Sequence, residues 1–273
     1  MARYQVILSY DGTEFHGFQR QGNERTVQLE VEHALRKLGW EGRSILASGR
    51  TDSGVHASGQ VITFDLDWAH SVETLQKALS AHLPMDIGVR GACITGDDFH
   101  PRFDATQRSY RYQIYFQPFR DPLRDRFAWR LWPKPQPGLP NEAAALFLGQ
   151  HDFQSFGSPM KPGGNTVRVV TASHWSETPE GWTYEISANA FLYHMVRRSV
   201  FMQIQTAMQK FDLNDLRRCV EEAAPSLPGM APANGLNLYS VEYGDAAREE
   251  WKSWKKQQIS NETSTDEIDV WRK

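Results

Sequence analysis

Residues 49–57 read GRTDSGVHA, with Arg50 and Asp52 two positions apart and glycines at 49 and 54. The residues on either side predict a strand over 43–48 that runs into this loop and another over 60–65 that leaves it. A charged, glycine-bearing loop between two strands is a place where a scaffold can hold side chains still. Arg50 and Asp52 are close enough in sequence to pair, and a neighbouring guanidinium favours the charged carboxylate. A positioned carboxylate can serve as a nucleophile or a base. On these nine residues alone, a salt-bridged turn with a structural glycine is the simpler reading.

Upstream, residues 3–10 are apolar and β-branched enough for a strand that Asp11-Gly12 ends. Thr26 has the character of an N-cap, and Val27, Val31, Ala34, Leu35 and Leu38 fall on one helical face before Gly39 and Gly42. Downstream, Ser71 caps a second helix with Val72, Leu75, Leu79 and Leu83 inward, and 87–94 is a strand. The order is β-α-β-β-α-β, the split unit of ferredoxin-like folds.

The second half repeats that order. Over 108–116, Tyr110, Tyr112 and Ile114 share one face, and Arg111, Gln113 and Tyr115 the other. A proline-rich linker spans 133–140, and Asn141 is placed to cap a short helix through 148. A hairpin is predicted from 167–175 and 182–188, helix over 192–210, a helix capped by Asp212, and a last strand over 236–243. The fold class is therefore α+β, as two modules over 1–104 and 105–245 with a cleft between them. Residues 246–273 are polar and carry Trp251 and Trp254; they predict an appended helix and a frayed tail.

The 273 residues carry a net charge of −3, which gives no global attraction to polyanions. Between 99 and 130, however, seven arginines stand against three aspartates, interleaved with Phe99, Phe103, Tyr110, Tyr112, Tyr115 and Phe116. Basic and aromatic residues in alternation suit phosphates and bases, though a solvated strand-and-loop face has the same composition. No stretch is apolar and long enough to cross a bilayer, and the first residues read as a strand rather than a signal peptide. Two cysteines make neither a disulfide framework nor a zinc or redox motif. These features point to the cytoplasm. No phosphate-binding, dinucleotide, zincin or esterase signature is present. The nine histidines lack metal-ligand spacing. Asp52, Ser53 and His56 suggest a hydrolase only superficially, because triads are assembled from separate elements.

Seven stretches taken in order carry a resemblance. They are YDGTEFHGFQRQ (10–21), GRTDSGVHASGQV (49–61), DDFHPRFDA (97–105), RSYRYQIY (108–115), HDFQSF (151–156), NAFLYHMVR (189–197) and GLNLYSVEY (235–243). Together they resemble the tRNA pseudouridine synthase I (TruA) family. The resemblance implies two ferredoxin-like halves flanking the active cleft, and isomerisation of uridine to pseudouridine at positions 38, 39 and 40 of the tRNA anticodon arm. It implies no cofactor or metal, tRNA as partner, and a homodimer.

By motif position, Asp52 matches the catalytic aspartate, Arg50 the arginine that pairs with it, and Tyr110 the tyrosine stacked on the target base. Arg197 matches a cleft arginine, and Leu238 or Leu236 a residue packed on the base. Core packing for Tyr110 and the leucines, and a plain helix surface for Arg197, are the structural alternatives. Phosphate contacts are expected from Arg102, Arg108, Arg111, Arg120, Arg124, Arg126 and Arg130. The chain departs from the family after Arg197. There RSVFMQIQ (198–205) puts bulk where the family has small residues, which puts the family's helix packing and site selectivity, but not its chemistry, in question. Two other functions fit the residues: a non-catalytic RNA-binding protein, and a hydrolase using Asp52 or Ser53.

Overall fold

The structure is a computed structural model that describes residues 1–136, 138–179 and 181–244; the expected C-terminal helix and tail lie outside them. Ten strands form one mixed sheet. In chain order they are β1 (Ala2–Tyr10), β2 (Leu46–Ala47), β3 (His56–Leu66), β4 (Ile87–Thr95), β5 (Ala105–Phe116), β6 (Trp129–Leu131), β7 (Gly149–Asp152), β8 (Val167–Thr178), β9 (Gly181–Ala188) and β10 (Leu236–Tyr243). The helices are α1 (Val27–Lys37), α2 (Val72–His82), α3 (Leu139–Ala145), α4 (Met195–Ala207) and α5 (Leu213–Glu221). The continuous path is β4-β1-β3-β10-β5-β9-β8-β7, with β2 added on β3 and β6 on β5. Pairing is antiparallel except for β10 on β3 and β6 on β5.

The first two helices start where their caps predict. The Thr26 hydroxyl accepts from the Leu29 N–H and the Ser71 hydroxyl from the Thr74 N–H. Each satisfies one of the donors that a helix start leaves open. Their inward residues Val27, Val31, Leu35, Leu75 and Leu79 are fully buried with Val6 and Leu8 of β1. A second core gathers Tyr112 and Ile114 of β5, Tyr184 and Ile186 of β9, and Val200 and Ile204 of α4. The two cores meet at β10: Leu236 belongs to the second, whereas Leu238, Val241 and Tyr243 belong to the first. Tyr110 is half-buried and packs against both, so the seam between the cores passes under it.

Three expectations are corrected. The strand predicted over 43–48 shrinks to the two residues of β2. The Ile45 N–H donates instead to the Glu32 carboxylate at 3.3 Å, and Ser44 is held by the Gln28 amide. Glu32 is fully buried and paired with Arg20 at 2.6 Å, so this acid on α1 recruits backbone that the ladder would otherwise use. Asn141 is not the cap of α3. Gly138, at φ 90°, precedes the helix, and Pro140 occupies its first turn, where a missing N–H costs nothing. The Asn141 amide bonds both backbone groups of Trp175 and ties α3 to β8. Finally, α4 begins at Met195 rather than 192, because His194 is left-handed at φ 68°. The bulky run after Arg197 is accommodated: Val200, Met202 and Ile204 are core, and Phe201 lies over Gly229, where a Cβ would strike its ring.

Candidate active site

The loop between β2 and β3 is gripped from below by residues 11–18. Phe18 N–H donates to Thr51 O, Gly54 N–H to Phe15 O, and the Thr51 and Tyr10 hydroxyls bond at 2.8 Å. A side chain at Gly17 would put its Cβ 2.9 Å from Thr51 O, and Gly17 itself sits at φ 83°. The YDG…HGF stretch thus exists to let two loops nest, with Asp52 projecting from the upper one.

Asp52 meets the N-terminal end of α4. Its Oδ2 accepts from Arg197 Nη1 at 3.0 Å and lies 3.5 Å from His194 Nε2. Arg197 is itself fixed, since its Nε donates to Ala231 O at 2.8 Å and its own carbonyl accepts from Ala231 N–H. Arg197 is only 13% exposed and Asp52 22%, so the pair is partly shielded from water without being sealed. The partner expected from spacing, Arg50, is not the one found. Arg50 is exposed at the cleft rim, and no hydrogen bond or ion pair joins it to Asp52. Nearness along the chain does not make the pair; α4 delivers the guanidinium from 145 positions away.

Above the pair lies an open cleft lined by Arg50, Asp52, Val55, Tyr110, Phe191 and Leu236, with residues 192–197 forming the far wall. Tyr110 meets Phe191 edge-on, with centroids 5.0 Å apart. Burial pushes the Tyr110 hydroxyl up to about 12, Arg108 opposing and Asp52 reinforcing the shift, so the group is neutral at physiological pH. Leu236 lines the cleft, while Leu238 is 1% exposed inside the first core. The sequence-based choice of Leu238 is therefore corrected in favour of its alternative. The two leucines point to the same side of β10, but one lies at the seam and the other beyond it.

The basic stretch is more structural than expected. Arg108 is half-buried, and its guanidinium bonds the carbonyls of Ser48, Arg102, Ala105 and Asn189. It staples the two halves together and has little left for a phosphate. Arg120 pairs with Asp125, Arg126 with Asp11, and Arg111 with Glu185. Arg130 bonds the carbonyls of Gln117 and Pro118, and Arg124 lies over the Tyr115 ring. Arg102 is exposed beside Phe103. Folding brings Asp11 and Glu185 to two of these arginines and ties Arg108 and Arg130 to carbonyls, so fewer of them are free for phosphates than composition implies.

The hydrolase arrangement is not formed. Ser53 Oγ donates to Phe15 O. His56 Nδ1 accepts from Gly12 N–H at 3.0 Å, which places its proton on Nε2, facing Asn234 O at 3.2 Å. His56 is a strut beneath the loop. Burial depresses its pKa below 6.5, with the Asp11 charge and the backbone of Asn234 and Arg126 pulling the other way. The unfolded chain then takes up a proton at a pH where the folded one does not. Folded stability is full above about 6.5, falls as pH drops through that value, and levels off below the folded pKa. Thermal unfolding followed from about pH 7.5 to 5 should show this decline, and it should be shallower in His56→Asn, which keeps an acceptor for Gly12. An identical slope in the variant would place the acid sensitivity elsewhere.

His194, Phe191, Tyr193 and Val55 are cleft residues that the sequence reading did not assign. The signal was available for the first three, all within NAFLYHMVR beside Arg197. Only the left-handed turn at 194 shows that the ring faces Asp52.

Known proteins resemble this chain over most of its length. The sequence model of the family described as tRNA pseudouridine synthase matches residues 6–104 and 143–244. Similar proteins include tRNA pseudouridine synthase A of Shouchella clausii, 39% identical over 246 residues, covering 89% of this chain and 94% of that protein. The Bacillus subtilis protein of the same name is 36% identical, covering 88% and 99%. That of Pseudothermotoga lettingae is 37% identical, covering 89% and 100%.

Proposed function

The chain belongs to the tRNA pseudouridine synthase family, and from that premise we propose that it isomerises uridine to pseudouridine at positions 38, 39 or 40 of the anticodon stem-loop. The observation that carries the reading is Asp52. It is a carboxylate held by a fixed arginine at the floor of a cleft whose walls are two aromatic rings. A uridine within a stem must be turned out before its glycosidic bond can be reached, at a cost of a few kcal/mol. Stacking on the Tyr110 ring offsets about 1–3 kcal/mol of that cost. Tyr110 offers the base its ring face.

In the proposed reaction Asp52 engages the ribose–base unit while the N1–C1′ bond breaks. The base turns, C5 bonds to C1′, C5 gives up its proton and N1 gains one. Substrate and product are isomers, so no co-reactant is consumed. Arg197 keeps the carboxylate aimed, Leu236 packs beside the base, and exposed Arg50 is placed to meet the displaced nucleotide or its phosphate.

The reading extends to architecture and setting. Two ferredoxin-like halves, 1–104 and 105–245, are supported by the matching strand orders β4-β1-β3-β2 and β10-β5-β9-β8. A homodimer in the cytoplasm follows the family; among the described residues no helix is long and apolar enough to cross a membrane. The test is release of tritium from tRNA labelled at uridine C5. Only base isomerisation exchanges that hydrogen for a carbon bond, so a pure binding protein or a hydrolase gives none. Substrates with a single candidate uridine at 38, 39 or 40 resolve the position.

A further inference from the structure

We propose that the stacked rings of Tyr193 and His194 at the cleft mouth form a second base-binding platform, which takes the nucleotide next to the target uridine; this rests on the function proposed above. Among the described residues, Tyr193 is the one exposed large apolar side chain that also lines the cleft, at 57% exposure. A ring so open contributes little to folding, yet it is built in firmly. Its centroid lies 3.6 Å from that of His194, with 29° between the planes. Its backbone is pinned on both sides: Tyr193 N–H donates to Ser158 O at 3.0 Å and Ser158 N–H to Tyr193 O at 3.2 Å. Gly157 makes this approach possible, since a Cβ there would lie 2.6 Å from Tyr193 O. The left-handed His194 then turns the chain into α4 and brings the two rings face to face.

The cleft therefore carries two aromatic levels, one ring of the inner and both of the outer coming from residues 191–194. Phe191 with Tyr110 lies inside, and Tyr193 with His194 at the rim. Turning one nucleotide out of a stack uncovers the face of its neighbour. A preformed aromatic surface beside the displaced nucleotide replaces that lost stacking at little entropic cost and with tolerance for any base. Exposed Arg50 on the same cleft suits the phosphate between the two nucleotides.

The probe is an anticodon stem-loop RNA with 2-aminopurine on the 5′ or the 3′ side of the target uridine, and matching RNAs abasic at the same site. Wild type and Tyr193→Phe should quench one of the two fluorophores, and Tyr193→Ala should not. Tyr193→Ala should weaken binding of base-bearing RNA by about tenfold. Wild type and Tyr193→Ala should bind the abasic RNA alike. Equal loss on abasic RNA, or no quenching at either position, overturns the platform. Wild type that isomerises the RNA, with a Tyr193→Ala variant indistinguishable from it, overturns the platform alone. Wild type that neither binds nor isomerises any stem-loop overturns the functional reading as well.

Discussion

Asp52→Asn protein should form no detectable pseudouridine while binding tRNA within a few-fold of wild type. The amide has the size of the carboxylate and can keep an oxygen toward Arg197 Nη1, where Oδ2 now accepts at 3.0 Å. The loop that carries it is fixed by contacts that do not involve this side chain, chiefly Phe18 N–H to Thr51 O and Gly54 N–H to Phe15 O. The cleft therefore keeps its shape and its aromatic walls, and affinity resting on stacking and phosphate contacts survives. What disappears is the negative charge and the nucleophilic lone pair. Removing a group that bonds to the substrate costs a rate factor of about 10⁴ or more. Single-turnover formation of pseudouridine at saturating tRNA, alongside a direct affinity measurement, separates the two quantities. Near-wild-type turnover in a protein verified by mass to be undeamidated would remove Asp52 from the chemistry.

The elements that carry periodic apolar residues and local caps were legible in the chain. Thr26 and Ser71 each begin a helix where the hydroxyl can reach an N–H three residues on. Tyr112 and Ile114 fall on a buried face because a strand alternates. Where tertiary partners decide, the chain alone was silent or misleading. Nothing near Ile45 announces that Glu32 will take its N–H, and nothing near Asn141 announces Trp175. The short strands β6 and β7 lack a pattern long enough to read.

The site shows the same division. Asp52, Tyr110 and Arg197 were identified by motif, and the structure brings them to one cleft. The Arg50–Asp52 pair was inferred from nearness in sequence, and nearness in sequence does not aim two side chains at each other. The choice between Leu236 and Leu238 depended on where the seam between the cores falls. The arginine-rich segment was read as free charge because its partners Asp11 and Glu185 lie far away in the chain.

Arg197→Met should be the most damaging change that leaves Asp52 itself in place. The arginine does two jobs from one side chain. Nη1 holds Asp52, and Nε anchors the segment around Ala231, whose N–H returns a bond to the Arg197 carbonyl. Methionine preserves most of the aliphatic volume but neither donor. Asp52 is then left in a partly shielded site with only His194, 3.5 Å away, where burial keeps the imidazole pKa below its usual value. The Arg197 charge adds to that depression, so its loss lets His194 offset part, but not all, of the missing positive charge. A partly buried carboxylate without its counter-charge costs about 1–3 kcal/mol, or a few degrees in Tm for a chain of this size. The rate should fall further than stability does, because a displacement near 1 Å at a reacting group costs on the order of 10²-fold. Arg197→Lys should recover part of the rate, since an ammonium restores the charge, but not the bond to Ala231 O held in the same plane. The measurements are Tm and the single-turnover rate for both variants. A lowered Tm with the rate intact at saturating tRNA would make Arg197 a structural clasp and leave the aim of Asp52 to the loop alone.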